Sequence, residues 1–148
     1  NRKKIVVGKI SYKKLVDFSK KWENSDQTNL NLKNDSKLRS LFFNIKIKIF
    51  MGTWCEDSIR EIPYLFNILN SINYNIESVE IICVDENKNT PEGYEKDFEI
   101  IKFPTIIIIK KNEEINRIVE FPVETLQKDI IKILSNNNYK HAYSEWVK

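Results

Sequence analysis

The chain contains the stretch Phe50-Met51-Gly52-Thr53-Trp54-Cys55-Glu56-Asp57-Ser58, in which a cysteine separates a strand-like run from a helix-like run. Residues 45–50 alternate between apolar and charged side chains and end on an apolar pair, as a strand that enters a core does. The apolar residues that follow recur at helical spacing: Ile59, Ile62, Leu65, Phe66 and Leu69. The pattern predicts that Cys55 lies in the first turn of a helix, where unpaired N–H groups and the helix dipole favour a thiolate. This stretch therefore predicts thiol chemistry.

The size and composition indicate one globular domain. The 148 residues are 41% hydrophobic and 30% charged, which is ordinary for a chain that buries a core. The 24 basic and 21 acidic residues are dispersed and leave a net charge of +3, so the chain lacks the basic stripe that nucleic-acid binding needs. No apolar run is long enough to span a bilayer. Because the chain starts at Asn1 rather than Met, the sequence leaves both a cytoplasmic location and export with a removed signal peptide open.

The remaining patterns predict an alternation of strands and helices. Upstream of the stretch they indicate a strand at 4–9, a helix capped by Ser11 with Leu15, Phe18 and Trp22 on one face, a polar loop at 23–35 and a short helix ending near residue 42. Downstream they indicate a helix to about residue 69, a strand at 79–84, a polar loop at 85–96, strands at 105–110 and 115–120, and a helix at 123–134. The first strand, helix and strand after residue 44 make a right-handed βαβ unit. This order predicts a mixed α/β sheet with helices on both faces.

Three features in combination resemble the thioredoxin family over roughly residues 40–135. Trp54-Cys55 follows a strand, Pro63 lies eight residues after the cysteine, where the family kinks its active-site helix, and Pro104-Thr105 begins a strand where the family has its cis-proline. The resemblance implies a thioredoxin-like α/β fold, with a mixed β-sheet flanked by helices on both faces. It also implies a single domain over residues 1–148, in which residues 1–40 are an N-terminal extension without a confident family counterpart and are a candidate for holding specificity.

The resemblance assigns Cys55 as the nucleophilic thiol that attacks a substrate disulfide. Ser58 stands where the family has its resolving cysteine, so the motif cannot close its own disulfide, but the Ser58 hydroxyl and N–H can donate to a Cys55 thiolate. Ile49 stands where many thioredoxins have a buried aspartate that helps to deprotonate the resolving thiol, so both departures indicate a monothiol site. The second cysteine, Cys83, lies in an apolar run and is expected to be a core residue. The sequence leaves open whether Ser58 is native or engineered.

The resemblance also implies a substrate groove beside the thiol. Trp54 covers one side of the sulfur and gives an apolar platform for a partner. Pro104 matches the cis-proline that packs opposite Cys55, which leaves Phe103 to offer its backbone to an extended substrate strand. Three aromatic residues of the C-terminal tail are expected to cover an edge of the core: Tyr139, Tyr143 and Trp146.

These residues predict a thioredoxin-like monothiol protein that acts through mixed disulfides with protein or small-molecule thiols. Glutathione is a candidate external thiol, although the sequence shows no clear basic pocket for it. The pattern Gly52-Thr53-Trp54-Cys55-x-Asp57-Ser58 is similar to a branch of bacterial thioredoxin-like proteins with the same monothiol signature. The alternative is a non-catalytic peptide-binding or chaperone-like module that uses the groove between Trp54 and Phe103 without turnover. Neither hypothesis requires a cofactor, no cluster has metal-ligand spacing, and we expect a monomer.

Overall fold

The computed structural model describes residues 4–23 and 36–146, so nearly all of the predicted polar loop at 23–35 lies outside the described residues. The elements in chain order are β1 (Gly8–Ile10), α1 (Tyr12–Phe18), a 3-10 turn (Lys20–Trp22), α2 (Ser36–Leu41), β2 (Ile45–Met51), α3 (Glu56–Ser71), a second 3-10 turn (Ile76–Ser78), β3 (Glu80–Cys83), β4 (Thr105–Lys110), β5 (Glu113–Val119) and α4 (Leu126–Leu134). None of the helices in the described part of the chain has the length and apolar character needed to cross a membrane.

The strands form one mixed sheet in the order β1-β3-β2-β4-β5. β2 and β3 run parallel and are joined through α3, whereas the other neighbouring pairs are antiparallel. β4 and β5 are connected by Lys111 and Asn112, whose φ angles of 54° and 65° suit a tight hairpin turn. This topology confirms the predicted thioredoxin-like α/β fold, a mixed sheet with flanking helices.

Side chains alternate along the strands and so build one core on each face of the sheet. The main core contains Ile47, Ile49 and Met51 of β2 together with buried residues of all four described helices. The second core is smaller and lies on the opposite face: Phe50, Ile82, Val84, Phe103 and Ile107. The helices therefore pack on the main-core face, and the start of α3 lies at the edge where the two faces meet.

The second face is covered by the segment 85–104, which forms turns, in agreement with the polar loop predicted at 85–96. Phe98 of this segment packs against the second core. The Asp85 carboxylate accepts the backbone N–H groups of Asn87 and Asn89 at 2.9 and 3.0 Å. Because polar side chains satisfy the backbone locally, the segment has an alternative to the helical hydrogen-bond ladder. The flanking layer on this face is thus irregular within the described residues.

The N-terminal elements are shorter than their patterns predict. Ser11 caps α1 as predicted, and its side chain accepts a backbone N–H of the first turn. The helix ends at Phe18, because Ser19 is extended and caps the 3-10 turn that follows. The sequence pattern places Leu15, Phe18 and Trp22 on one face of this helix. Leu15 and Trp22 are fully buried, but Trp22 lies in the 3-10 turn, and Phe18 is 37% exposed.

The last helix begins at Leu126, three residues later than predicted. The buried carboxylate of Asp129 accepts the backbone N–H groups of Val123 and Glu124 at 2.6 and 3.0 Å. Thr125 then caps the helix with its hydroxyl. These bonds hold the three preceding residues in a turn instead of a first helical turn.

Candidate functional site

Cys55 lies at the N-terminus of α3, four residues after the end of β2. It is the N-cap residue, with extended backbone angles of −92° and 122°, and it is partly exposed. Among the described residues its side chain makes no capping hydrogen bond, and the thiol donates instead to the Phe103 carbonyl at 3.6 Å. The N–H groups of the first helical turn are therefore available to a charged sulfur at this position.

Trp54 is fixed by its contacts with the strand ends below it. Its indole N–H donates to the Val84 carbonyl at 3.0 Å. The ring lies directly on Gly52, where an added Cβ would stand 2.5 Å from the indole Cε2 atom. Only glycine leaves room for the ring at position 52, and the indole consequently packs beside the thiol, against the second core.

The segment facing the thiol is the Phe103–Pro104 pair, whose peptide bond is cis. Phe103 is buried in the second core, and Pro104 accepts the Glu120 N–H at 2.8 Å through its carbonyl. The Thr105 hydroxyl donates to the Lys102 carbonyl at 2.7 Å, which closes the turn before β4. The structure thus brings Phe103 and Pro104 to the partly exposed thiol and holds them by backbone hydrogen bonds.

Ser58 is fully buried in the first turn of α3. Its hydroxyl oxygen accepts the Gly52 N–H at 3.3 Å and so ties the helix to the end of β2. The neutral Cys55 thiol donates to Phe103. The donation predicted from Ser58 concerns the thiolate and stays a prediction. The hydroxyl proton of Ser58 remains a donor that a sulfur anion can use after rotation toward the helix.

Cys83 is fully buried at the end of β3, in the main core. Cys55 packs against the second core, on the other face of the sheet. Burial raises the pKa of the Cys83 thiol to about 12. The sheet therefore separates this buried thiol from Cys55.

The acidic side chains of the motif are partly balanced by Arg60. Its guanidinium lies 2.8 Å from the Asp57 carboxylate and 2.8 Å from the Glu61 carboxylate. The hydrogen bond that Arg60 donates to Glu61, and then the one that it donates to Asp57, raise the pKa of Arg60 and keep it charged. The negative charge of Asp57, two residues after Cys55, is therefore reduced by an ion pair on the same helix face.

The structure also places residues at the site that the sequence patterns did not indicate. The Thr53 hydroxyl accepts the Val6 N–H at 3.2 Å, which joins the N-terminal segment to the motif loop. Lys102 and Glu120 flank the Phe103–Pro104 pair. These residues belong to different elements, so no spacing rule in the sequence relates them to Cys55. Among residues 4–23 and 36–146, no group of three or more His, Cys, Asp or Glu side chains is placed to hold a metal ion.

The chain is similar to several solved structures. The chain is similar to a thioredoxin from Fasciola hepatica at 18% identity, with a TM-score of 0.45 over 72% of this chain and 97% of that one. It is similar to the germline-specific thioredoxin Deadhead of Drosophila melanogaster at 10% identity, with a TM-score of 0.44 over 70% of this chain and 90% of that one. A Pseudomonas aeruginosa protein of unknown function gives 12% identity and a TM-score of 0.43 over 84% and 69%. No curated protein gave a significant match.

The family assignment rests on a sequence model. The family model described as thioredoxin matches residues 12–134. This range includes the motif at 52–58, the Phe103–Pro104 pair and the four strands β2 to β5. The chain therefore belongs to the thioredoxin family.

Proposed function

We propose that this protein carries out thiol–disulfide exchange through one nucleophilic thiol, Cys55, and forms mixed disulfides with its partners. The observation that carries the proposal is the position of the Cys55 sulfur. It is partly exposed at the N-terminus of a long helix and lies against the carbonyl of the residue before a cis proline. Approach from solvent and unpaired N–H donors are the two conditions that a reactive cysteine needs.

The two protonation states of the sulfur favour different neighbours. The neutral thiol donates to the Phe103 carbonyl, a contact that a thiolate cannot make because it has no proton to donate. Loss of the proton therefore releases the sulfur from Phe103 and favours rotation toward the Ser58 N–H and hydroxyl. The Phe103 backbone is then free to pair with an extended substrate, while Trp54 and Pro104 bound the groove.

The reaction exchanges one disulfide for another without net oxidation. The Cys55 thiolate attacks one sulfur of a substrate disulfide, and a new S–S bond forms to Cys55. The old S–S bond breaks, its electron pair leaves with the second sulfur, and that thiolate takes a proton from water. A second thiolate must then attack the mixed disulfide to release Cys55 in its reduced form.

The second thiolate is supplied from outside the chain. Ser58 has no sulfur, and Cys83 is neutral and lies on the other face of the sheet. The external thiol is a protein thiol or a small-molecule thiol of the glutathione type. The proposed cycle uses one thiol of the chain, whereas a thioredoxin with a second, resolving cysteine three residues after the first uses two.

The experiment is a reaction with oxidised glutathione on a Cys83→Ala background, followed by mass spectrometry of the intact chain. We expect a single glutathione adduct, absent in the matched Cys55→Ser variant and removed by added reduced glutathione. Insulin disulfides should not be reduced catalytically by the parent chain, because it has no resolving thiol. A Cys55 that forms no adduct and does not react with small disulfides would leave the non-catalytic peptide-binding module as the better account.

A further inference from the structure

The C-terminal arm, residues 139–146, is anchored in the main core at one end. Tyr139 is buried, and its hydroxyl donates to the Asp129 carboxylate at 2.5 Å. Its carbonyl accepts the side-chain amide of Asn116 at 2.9 Å. Tyr139 therefore covers the core, as its sequence position predicts, and fixes the direction in which the rest of the arm leaves it.

The other end of the arm lies beside the Phe103–Pro104 pair. The Tyr143 hydroxyl donates to the Glu120 carboxylate, and the Glu120 N–H donates to the Pro104 carbonyl at 2.8 Å. The Tyr143 ring contacts Trp146 edge-on, with centroids 5.1 Å apart. The Lys102 ammonium lies 5.0 Å from the centre of the Trp146 ring and 5.7 Å from that of Tyr143. The arm thus reaches the residue directly before Phe103.

The arm and the thiol contact neighbouring residues of the same short segment. The Cys55 thiol donates to the Phe103 carbonyl at 3.6 Å, and the rings of Tyr143 and Trp146 lie beside the Lys102 ammonium. The hydrogen bond to Glu120 raises the pKa of the Tyr143 phenol. The arm therefore lies beside the segment that the thiol contacts.

The part of the arm beside the Phe103–Pro104 pair presents exposed aromatic rings, and Lys102 adds one positive charge there. Trp146 is 63% exposed and Phe121, which contacts Tyr143, is 40% exposed. The expectation that Trp146 covers the core is wrong, because its ring lies on the arm and on Lys102. Within residues 4–23 and 36–146, no carboxylate pairs with Lys102, whose ammonium lies over two aromatic rings. The surface therefore offers apolar contact and one positive charge next to the groove.

We propose that Lys102, Tyr143 and Trp146 form a specificity surface for extended polypeptide disulfides that carry an acidic side chain and an aromatic side chain next to the attacked cysteine. This inference rests on the proposed exchange reaction at Cys55. A substrate strand that pairs with the Phe103 backbone must pass Lys102, because the two residues are adjacent. Its carboxylate meets the ammonium, and its aromatic side chain packs on the exposed Trp146 ring.

The test uses activated peptides with a central cysteine bound to a thiopyridyl group, so that exchange at Cys55 releases a chromophore. One peptide carries Asp and Phe beside the cysteine, and its matched partner carries Lys and Phe. Dithiodipyridine, which is small and uncharged, reports the reactivity of the thiol alone. The variants are Trp146→Ala, Lys102→Gln and the conservative Lys102→Arg. Phe43→Ala is the control, because Phe43 is 74% exposed and precedes β2, at the opposite end of the sheet from the motif.

We expect Trp146→Ala and Lys102→Gln to slow exchange with the Asp peptide about tenfold, the size expected for a well-placed aromatic or charged contact. Exchange with dithiodipyridine should stay unchanged, Lys102→Arg should restore the Asp-peptide rate, and Phe43→Ala should have no effect. Equal rates for parent and variants would overturn the proposal, as would an equal loss with dithiodipyridine, which would indicate an effect on the thiol itself.

A binding measurement distinguishes failure of the exchange reaction from failure of the specificity surface. Cys55→Ser protein is titrated with fluorescent peptides in which Ser replaces the central cysteine. If parent Cys55 reacts with no disulfide but Trp146→Ala weakens binding of the Asp peptide, the proposed function is wrong and the specificity surface stands. If binding of the Asp peptide is equal with and without Trp146, the specificity surface is wrong whatever the thiol does.

Discussion

The substitution Ser58→Cys tests the monothiol assignment directly. It places a second thiol in the first turn of α3, three residues after Cys55, where the side chain is held close to the end of β2. We expect the variant to reduce insulin disulfides with an external reductant, whereas the parent chain stays at the rate of the reductant alone. The resolving step becomes intramolecular in the variant, because it has the second thiol that position 58 of the parent lacks.

We expect Ser58→Cys to be less stable than the parent chain, because the substitution weakens one buried hydrogen bond. The Ser58 oxygen accepts the buried Gly52 N–H at 3.3 Å, and a thiol sulfur is a weak acceptor. An unsatisfied buried N–H costs about 1–3 kcal/mol in the free energy of unfolding. Ser58→Ala removes the same acceptor without adding a thiol. Its free energy of unfolding in urea should fall by a similar amount, and it should remain inactive toward insulin. This matched pair separates the effect of the sulfur from that of the lost hydrogen bond.

Two results would contradict the monothiol proposal. If the parent reduces insulin as fast as Ser58→Cys, a resolving thiol exists elsewhere, and Cys83→Ala would show whether the buried thiol is responsible. If a folded Ser58→Cys variant stays at the background rate, position 58 does not reach Cys55 and the helical alignment of the two side chains is wrong. We expect the Ser58→Cys variant to be active but slower than ordinary thioredoxins, because Ile49 provides no carboxylate to take the proton of the new thiol.

Three further outcomes follow from single contacts, each measured by urea unfolding. Gly52→Ala should destabilise the fold by about 1–3 kcal/mol, since its Cβ would stand 2.5 Å from the Trp54 ring and force it to move; an unchanged midpoint would contradict this packing. Tyr139→Phe should lose about 1.5–3 kcal/mol with the hydrogen bond to the buried Asp129 carboxylate; a loss near zero would mean that water replaces it. The pKa of Glu61 lies above its usual value, chiefly through burial, so the charged form opposes folding and stability falls as pH rises through that raised pKa. Glu61→Gln should therefore gain stability over the parent at pH 7 and match it near pH 3, and a loss at pH 7 would show that the Arg60 ion pair dominates.

The central part of the fold could be predicted from the sequence because its pattern is strong and local. β2 alternates cleanly, and α3 repeats its apolar residues over four turns, so period alone separates strand from helix. β4 is a continuous apolar run, as expected for a strand with cores on both faces. The position of Cys55 between two such elements follows directly, which is why the partly exposed thiol was found at the helix start.

The boundaries of the helices could not be predicted, because side-chain hydrogen bonds decide them. Ser19 ends α1 early, and Asp129 delays α4 by holding two N–H groups that precede it. Ser, Asp and Thr residues occur in many positions, and the sequence does not show which of them find a backbone donor within reach.

The contacts of the site depend on residues that are far apart in the chain. The thiol of Cys55 meets Phe103, 48 residues later. Lys102 meets Trp146, which follows it by more than forty residues. Such long-range contacts depend on the order of the strands and on the path of the C-terminal arm. The hydrophobic periodicity of the sequence does not indicate them. The position of Cys55 at a helix start was predictable, whereas the residues that surround it were not.

The departures at positions 49 and 58 form one physical change. A buried aspartate at position 49 is useful when a neighbouring thiol must lose its proton, and without that thiol it is a charged group in an apolar core, at a cost of several kcal/mol. Ile49 is fully buried in the main core, and Ser58 uses its oxygen to hold Gly52. Both side chains therefore stabilise the fold, because Ile49 packs in the apolar core and Ser58 holds the end of β2. The monothiol proposal depends on this pair of residues, since neither of them supplies a thiol or a base for an internal resolving step.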